Sequence, residues 1–463
     1  MTTAQTGSAD IAALRAQLTG SALLPDDPGW DAEVSGFNSA VTQRPAVAVA
    51  AAEASDVQAA VRYAADSGLS VAVQATGHGA NVPMTGGLLV NTRRLDGAHV
   101  DPETHVATVR AGTPWRQVVD AAAPHGLAPL NGSSSGVGAV GYTVGGGVPV
   151  IGRTFGYTAD YVTRLDVVTA DGRLRQVDAE SEPDLYWGLR GGGGSLGIVT
   201  AMTVGLVPVA TVYGGGIFYA AEHLATALDA WQAWCADLPE SVTTSVAILR
   251  LPPAPELPEP LRGQTVAHLR FCHIGSAADG ADLVAPMRSA APMLADSITE
   301  LPYAAIDAVH QDPDHPVPVC QRGVTLGECT SETIATLLEV AGPDVRTPLM
   351  LCEIRQLGGA LGRPPAGGNA VGGRDAAFSL SAVGMLTPET ATIAPAAVDE
   401  LLAAAAPWAT GYTLLNLHGA PRDDADRARP WDAATYRRLC ELRARVDPSG
   451  LFSYGHYVGD RVA

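Results

Sequence analysis

The residues best placed to do chemistry are a histidine between two glycines and a carboxylate inside an apolar run. His78 stands in ATGHGAN, directly after the strand-like SVAVQA, with Gly77 and Gly79 on either side. Glycines there let backbone N–H groups approach an anion. The imidazole therefore reads either as a side chain held against a phosphate-bearing ligand or as a surface turn histidine. Glu353 interrupts PLMLCEIRQLGGA and, by the two-residue period of a strand, shares a face with Arg355. Burial would raise its pKa and suit a general base, whereas the guanidinium would lower it and make a structural pair. Tyr412 and His418 in GYTLLNLHG, and Tyr142 beside a glycine-rich loop, are the other acid–base candidates.

Further motifs point to different classes of protein. Gly132–Gly136, GSSSG, fits the GxSxG pattern of a hydrolase, with Ser134 as nucleophile and His418 or His456 as base. The following VGAVGYTVGGG is expected not to form a helix, since each glycine costs about 1 kcal/mol there, so a nucleophile elbow is disfavoured. Two GxGxxG segments occur, at Gly136, Gly138, Gly141 and at Gly192, Gly194, Gly197. A dinucleotide fingerprint follows a strand and opens a helix. The first segment runs into YTVGGG and the second into the strand-like IVTAMTV, so neither is expected to open one. The histidines form no HExxH and the six cysteines no CxxC, so no metal site is expected and the thiols read as free.

The elements that must hold these residues alternate from Pro45 onward. AVAVAAAE reads as a strand, SDVQAAVRYAADSG as a helix capped by Ser55 and ended at Gly68, and SVAVQA as a second strand. Short strands follow at Leu88–Asn91, Ala98–Asp101 and His105–Ala111, then a helix begun by Thr113 and Pro114. Nine of the twenty-five residues 132–156 are glycine, which reads as loops built for close backbone approach. After Val209 longer strands appear at 242–251, 265–273, 348–357 and 376–383, separated by helices, which predicts a layered antiparallel sheet. GYTLLNL reads as a last strand and YRRLCELRARV as an amphipathic helix.

Composition excludes several chemistries. All 29 basic residues are arginine, so there is no Walker lysine, no Schiff-base or pyridoxal lysine and no lysine general base. A net charge of −19 is a poor match to a phosphate backbone, so no nucleic-acid partner is expected. With no leader-like N-terminus and no run of about 18 apolar residues, a soluble cytoplasmic chain without a membrane partner is expected. Oligomeric state is not legible.

VAVQATGHGANVPMTGGLLVNTRRLDGAHVDPETHVATVRAGTPWRQV resembles the flavin domain of berberine-bridge-enzyme-like oxidoreductases of the vanillyl-alcohol-oxidase superfamily. NGSSSGVGAVGYTVGGG, FGYTADYVTRLDVVTADGRL, DLYWGLRGGGGSLGIVT, LGGALGRP and YRRLCELRARVDPSGLFSYGH match in order. The resemblance implies an α+β, two-domain PCMH-type FAD-binding fold with an antiparallel substrate sheet covered by helices. FAD binding would fall to 1–210, substrate binding to 211–410, and 411–463 would return to the first domain. By the same resemblance FAD is covalently attached through His78, and Ala75, Thr76, Gly77, His78, Gly79 and Ala80 hold its pyrophosphate. Gly138, Gly141 and Gly146 would approach the ring and Gly194 and Ile198 the adenosine half, with Asn416 and His456 also among the cofactor contacts.

The chain departs from the family at three places. Ser134 occupies the position of a cysteine that forms a second flavin bond, so one link only is expected. Leu417 stands where relatives often carry a catalytic tyrosine, and Leu380 where some carry a glutamate, if Arg374 is the matching arginine. Glu353, Tyr412, Tyr142 and His418 are left as the catalytic candidates. The implied function is oxidation of a small organic substrate, of secondary-metabolite type, with dioxygen as acceptor. The pattern also resembles the mono-covalent flavoprotein oxygenase of enterocin biosynthesis, which implies oxygenation of a polyketide-like substrate as one alternative. A redox-neutral cyclase or degenerate flavin binder is another.

Overall fold

The computed structural model describes residues 8–459; the expectation of no leader falls in part on residues 1–7, which lie outside them. Three sheets organise the chain. The first joins β1 (Ser21–Leu23), β2 (Val47–Ala50), β3 (Val71–Gln74) and β4 (Leu88–Asn91) in the order β1-β2-β4-β3. Its β2, β4 and β3 are parallel, as fits a strand–helix–strand crossover. That crossover helix spans Ala54–Asp66, is capped by Glu53 rather than Ser55, and ends at Ser67 before Gly68 (φ +65°). The cap moves because Asp56 is fully buried, where its carboxylate accepts the N–H groups of Thr19, Gly20, Ala52 and Glu53.

The second sheet is antiparallel, in the order β5-β6-β9-β7-β8, from β5 (Ala98–Asp101), β6 (Val106–Arg110), β7 (Val162–Val168), β8 (Leu174–Val177) and β9 (Ile198–Gly205). The glycine-dense stretch between β6 and β7 is more ordered than its composition suggests. Ala139–Val144 forms a short helix, and Gly152–Phe155 another. The expectation that this run could not be helical is corrected: within Ala139–Val144 only Gly141 carries the penalty. Burial of Ala139, Val140 and Thr143 in the same core as Trp115 offsets it.

The third sheet has eight antiparallel strands: β10 (Thr211–Ala220), β11 (Val242–Arg250), β12 (Thr265–His273), β13 (Met293–Asp296), β14 (Thr299–Pro302), β15 (Val319–Leu326), β16 (Leu349–Gln356) and β17 (Phe378–Met385). They run in the order β13-β10-β12-β11-β16-β17-β15, with β14 also on β10. One face carries Ile217, Val246, Ile248, Leu269, Phe271, Cys352, Ile354 and Leu380, which form a core with the helices Leu224–Cys235, Ser331–Ala341 and Ala394–Ala404. Because strand side chains alternate, the opposite face receives Ser245, His268, Arg270, Glu353, Arg355 and Ser381.

Beyond residue 410 the expected strand GYTLLNL does not form; Leu415–Leu417 is a single 3₁₀ turn. Near the edge strand β15 the chain makes only an isolated bridge, Ala409 with Leu326, and then turns inward, with Thr413 Oγ1 donating to the Gly323 carbonyl. The helix Ala433–Val446 packs Leu439 and Leu442 into the core of the second sheet, and the Leu451 carbonyl accepts the N–H of Val71. Among the described residues no helix is long and apolar enough to cross a membrane, and no group of three or more His, Cys, Asp or Glu is placed to hold a metal ion.

Candidate active site

The loop after β3 presents His78. Gly77 has φ +79°, and a Cβ there would lie 2.6 Å from Gly36 Cα, so only glycine lets the two backbones meet. The His78 ring stacks on Phe37 at 3.8 Å, and its Nδ1 lies 2.8 Å from Thr76 Oγ1, which also accepts the Gly138 N–H at 3.2 Å. Its Nε2 is buried without a hydrogen-bond partner among the described residues. Burial lowers the His78 pKa to about 4, so the ring is neutral at pH 7 and one nitrogen offers a lone pair. That is the state required to form a bond to carbon.

Asn38, which the sequence did not single out, holds this loop to β15 of the third sheet. Its Nδ2 donates to the Ala80 carbonyl (3.0 Å) and the Val319 carbonyl (3.1 Å), while its Oδ1 accepts the N–H of Val319.

The glycine segments meet the same loop. A Cβ on Gly138 would touch Ala75 Cβ at 3.3 Å, and one on Gly145 would overlap Asn416 Oδ1. Asn416 Nδ2 donates to the Tyr142 carbonyl at 2.9 Å, and the Gly191 and Gly193 N–H groups both donate to the Val144 carbonyl. Gly193 in turn faces the His456 carbonyl. Residues 75–80, 138–147, 191–194, Asn416 and His456 are thus stitched together. Along them a Cβ on Gly79, Gly141 or Gly194 would meet nothing within 4 Å, while Gly146 needs its φ of +105°. Exposed backbone, an unspent imidazole nitrogen and glycine surfaces are what a flat phosphate-bearing cofactor such as FAD requires. Ile198 fits less well, because its side chain is buried with Val57, Leu88 and Val168 in the core of the first sheet.

The hydrolase constellation does not assemble. Ser134 Oγ accepts the Gly136 N–H, whereas His418 and His456 lie against each other, their rings tilted by 48° with centroids 5.2 Å apart, and His418 Nε2 lies 3.7 Å from Asp426. Burial lowers His418 to about 4 and His456 to about 3. The first GxGxxG does open a short helix, contrary to expectation, but no strand leads into it. Asp160, the acid about 20 residues on, is occupied by Arg374 and Asn369. A Rossmann site is not formed.

Among the catalytic candidates, Tyr142 is packed against Gly132 and edge-on to Trp115, and burial raises its pKa, so it stays protonated. Tyr412 lies half-buried near the edge of the sheet, its carbonyl accepting the Thr325 N–H. Glu353 is buried, and of the two opposed effects expected on its pKa the lowering one prevails. Its Oε1 accepts from Ser245 Oγ (2.7 Å) and Arg270 Nη1 (2.9 Å), and Arg355 Nη2 reaches both oxygens at 3.2 Å. Burial alone would raise the carboxyl; the two guanidiniums and the hydroxyl outweigh it and hold it well below the usual carboxylate range. Arg270, Ser245 and His310 were not foreseen. Arg270 carried the signal that found Glu353, a charge inside an apolar strand; His310 carried none.

Residues 45–178 match the family of FAD binding domains. The chain is 30% identical over 310 residues to the uncharacterised FAD-linked oxidoreductase YvdP of Bacillus subtilis, covering 65% of this chain and 66% of that protein. It is 32% identical over 191 residues to (R)-6-hydroxynicotine oxidase of Paenarthrobacter nicotinovorans, covering 41% and 42%. The sequence matches thus span two thirds or less of these relatives' length. In fold the chain matches 6-hydroxy-D-nicotine oxidase of Arthrobacter nicotinovorans with a TM-score of 0.84 at 22% identity, over 96% of this chain and 98% of that one. It also matches the berberine-bridge-enzyme-like protein 1 of Physcomitrella patens with a TM-score of 0.81 at 17% identity, over 96% and 97%. Fold and site define a PCMH-type FAD-binding protein. The chain carries an FAD binding domain over residues 45–178 and has the fold of the berberine-bridge-enzyme-like proteins.

Proposed function

We propose that the protein oxidises a small organic substrate with FAD tethered through His78 and with dioxygen as electron acceptor. The observation that carries this reading is the half-buried, neutral His78 imidazole between glycines, its Nε2 buried without a partner among the described residues. When bound, FAD supplies the hydride acceptor and the route of electrons to dioxygen. The chain's part is to bind and orient. Backbone of residues 75–80 and 138–147 holds the cofactor, and Asn416 fixes the helix Ala139–Val144 through the Tyr142 carbonyl. The sheet face bearing Glu353 and Arg355 covers the substrate side. Ser134 offers no thiolate, so the tether is single.

Acid precipitation tests the tether. The expected result is a yellow pellet holding one flavin per chain, and a colourless pellet in His78→Ala. If wild-type flavin passes wholly into the supernatant, the tether is refuted; if the native protein takes up no flavin, the FAD reading fails with it.

A further inference from the structure

Among the described residues the His78 ring has one hydrogen-bonding neighbour, the Thr76 hydroxyl, whose Oγ1 lies 2.8 Å from Nδ1. The same oxygen accepts the Gly138 N–H at 3.2 Å. Gly138 is the N-cap of the helix Ala139–Val144, so one hydroxyl joins the imidazole to the start of the helix that carries Gly141 and Tyr142. Phe37 lies against one face of the ring, with centroids 3.8 Å apart and planes 15° from parallel. Stacking fixes the plane of an imidazole but not its direction within that plane. The histidine χ2 torsion is broad and roughly two-fold, and a half-turn about Cβ–Cγ returns the same flat outline with ring carbons and nitrogens exchanged.

Thr76 removes that freedom. In the half-turned ring Cδ2 would replace Nδ1 beside the hydroxyl, and the hydrogen bond would be lost. A hydroxyl both donates and accepts, so the contact persists with the proton on either ring nitrogen. Such a partner suits a ring that must give up its N–H. The tether exchanges the imidazole N–H and one C–H of the flavin methyl group for an N–C bond; two protons leave, and two electrons pass to dioxygen, giving hydrogen peroxide. Bond formation needs the reacting atoms about 3–3.5 Å apart and aligned, and a group set about 1 Å amiss loses about 10²-fold in rate.

We infer that Thr76 is a positioning residue for the flavin tether: its hydroxyl sets which way the His78 ring points and ties that ring to the glycine wall at Gly138. This inference rests on the reading of an FAD linked through His78, and it adds the residue that prepares the imidazole for the link.

Thr76→Val keeps the branched shape and removes the hydroxyl, whereas Thr76→Ser keeps the hydroxyl. Each full-length chain, purified from riboflavin-limited cells, is incubated with excess FAD in air and sampled over time. Visible absorbance after gel filtration gives total bound flavin, and the acid pellet gives the linked fraction. Thr76→Val is expected to bind flavin within about twofold of wild type yet to form the acid-stable link at least about 10-fold more slowly, and Thr76→Ser to recover the rate to within about threefold. Linking by Thr76→Val at the wild-type rate, equal slowing in both variants, or loss of bound flavin in step with the link overturns the inference. Should Thr76→Val not fold, Thr76→Ala is read in its place. A wild type that binds flavin without an acid-stable link refutes the tether reading and this inference with it; a wild type that links, beside a Thr76→Val that links as fast, refutes this inference alone.

Discussion

Glu353→Gln separates a counter-ion from a catalytic base. The change keeps shape and volume but removes the negative charge between Arg270 and Arg355. Both sides of the closest pair are dry, with side-chain exposures of 3% for Arg270 and 9% for Glu353. Removing one member of a buried pair leaves an uncompensated charge and costs about 3–5 kcal/mol. For a unit of about 200 residues each kcal/mol moves Tm by about 2–4 °C, so a fall on the order of 10 °C is expected. The pH dependence follows from the depressed carboxyl. Its stabilisation is fully present above the unfolded value of about 4.3 and is lost as pH falls toward the lower folded value. The gap between wild type and variant should therefore be constant from about pH 6 to 8 and close progressively below about pH 5. Thermal melts followed by tryptophan fluorescence across that range measure it. An unchanged Tm at pH 7 with flavin reduction slowed by about 10²-fold would refute the counter-ion argument and return Glu353 to the role of base.

Three other substitutions follow from the site. Gly145→Ala places a methyl group on Asn416 Oδ1 and should break the Asn416–Tyr142 hydrogen bond, at a cost of about 1–3 kcal/mol and with lower flavin occupancy by the ratio of visible to ultraviolet absorbance. Asn38→Ala removes the hydrogen bonds joining residue 80 to residue 319 and should cost about 1–3 kcal/mol, with faster amide exchange at 77–80 and 317–319. Ser134→Ala should leave flavin content and oxidase turnover within about twofold, since among the described residues its hydroxyl accepts only the Gly136 N–H; loss of turnover there would show that the serine touches the reaction.

The short strands of the first two sheets were legible because alternation and turn residues act over a few positions. Ala98–Asp101 was read to the residue, and the helix Trp115–Ala122 begins one residue after the expected proline, which is its extended N-cap. The misreadings have tertiary causes. Ser55 lost the cap because a buried Asp56 gathers four N–H groups from outside the helix, and GYTLLNL forms no strand because the chain beside β15 turns inward to deliver Asn416.

The sequence by itself determined the chemistry available to the cofactor wall. His78 between glycines, the glycine run at 145–147, the serine at 134 and the absence of lysine are local facts, and steric freedom at a glycine depends on that residue alone. Only the tertiary structure decided what the substrate wall can do. Ser245, Arg270, His310, Glu353 and Arg355 come from strands and a loop up to about a hundred residues apart, and strand pairing sets which of them share a face. A carboxyl pKa depends on the balance between desolvation and nearby charge. The run PLMLCEIRQ announced the first and one arginine; the second arginine and the serine, which tip the sign, arrive only when β12 and β16 flank β11.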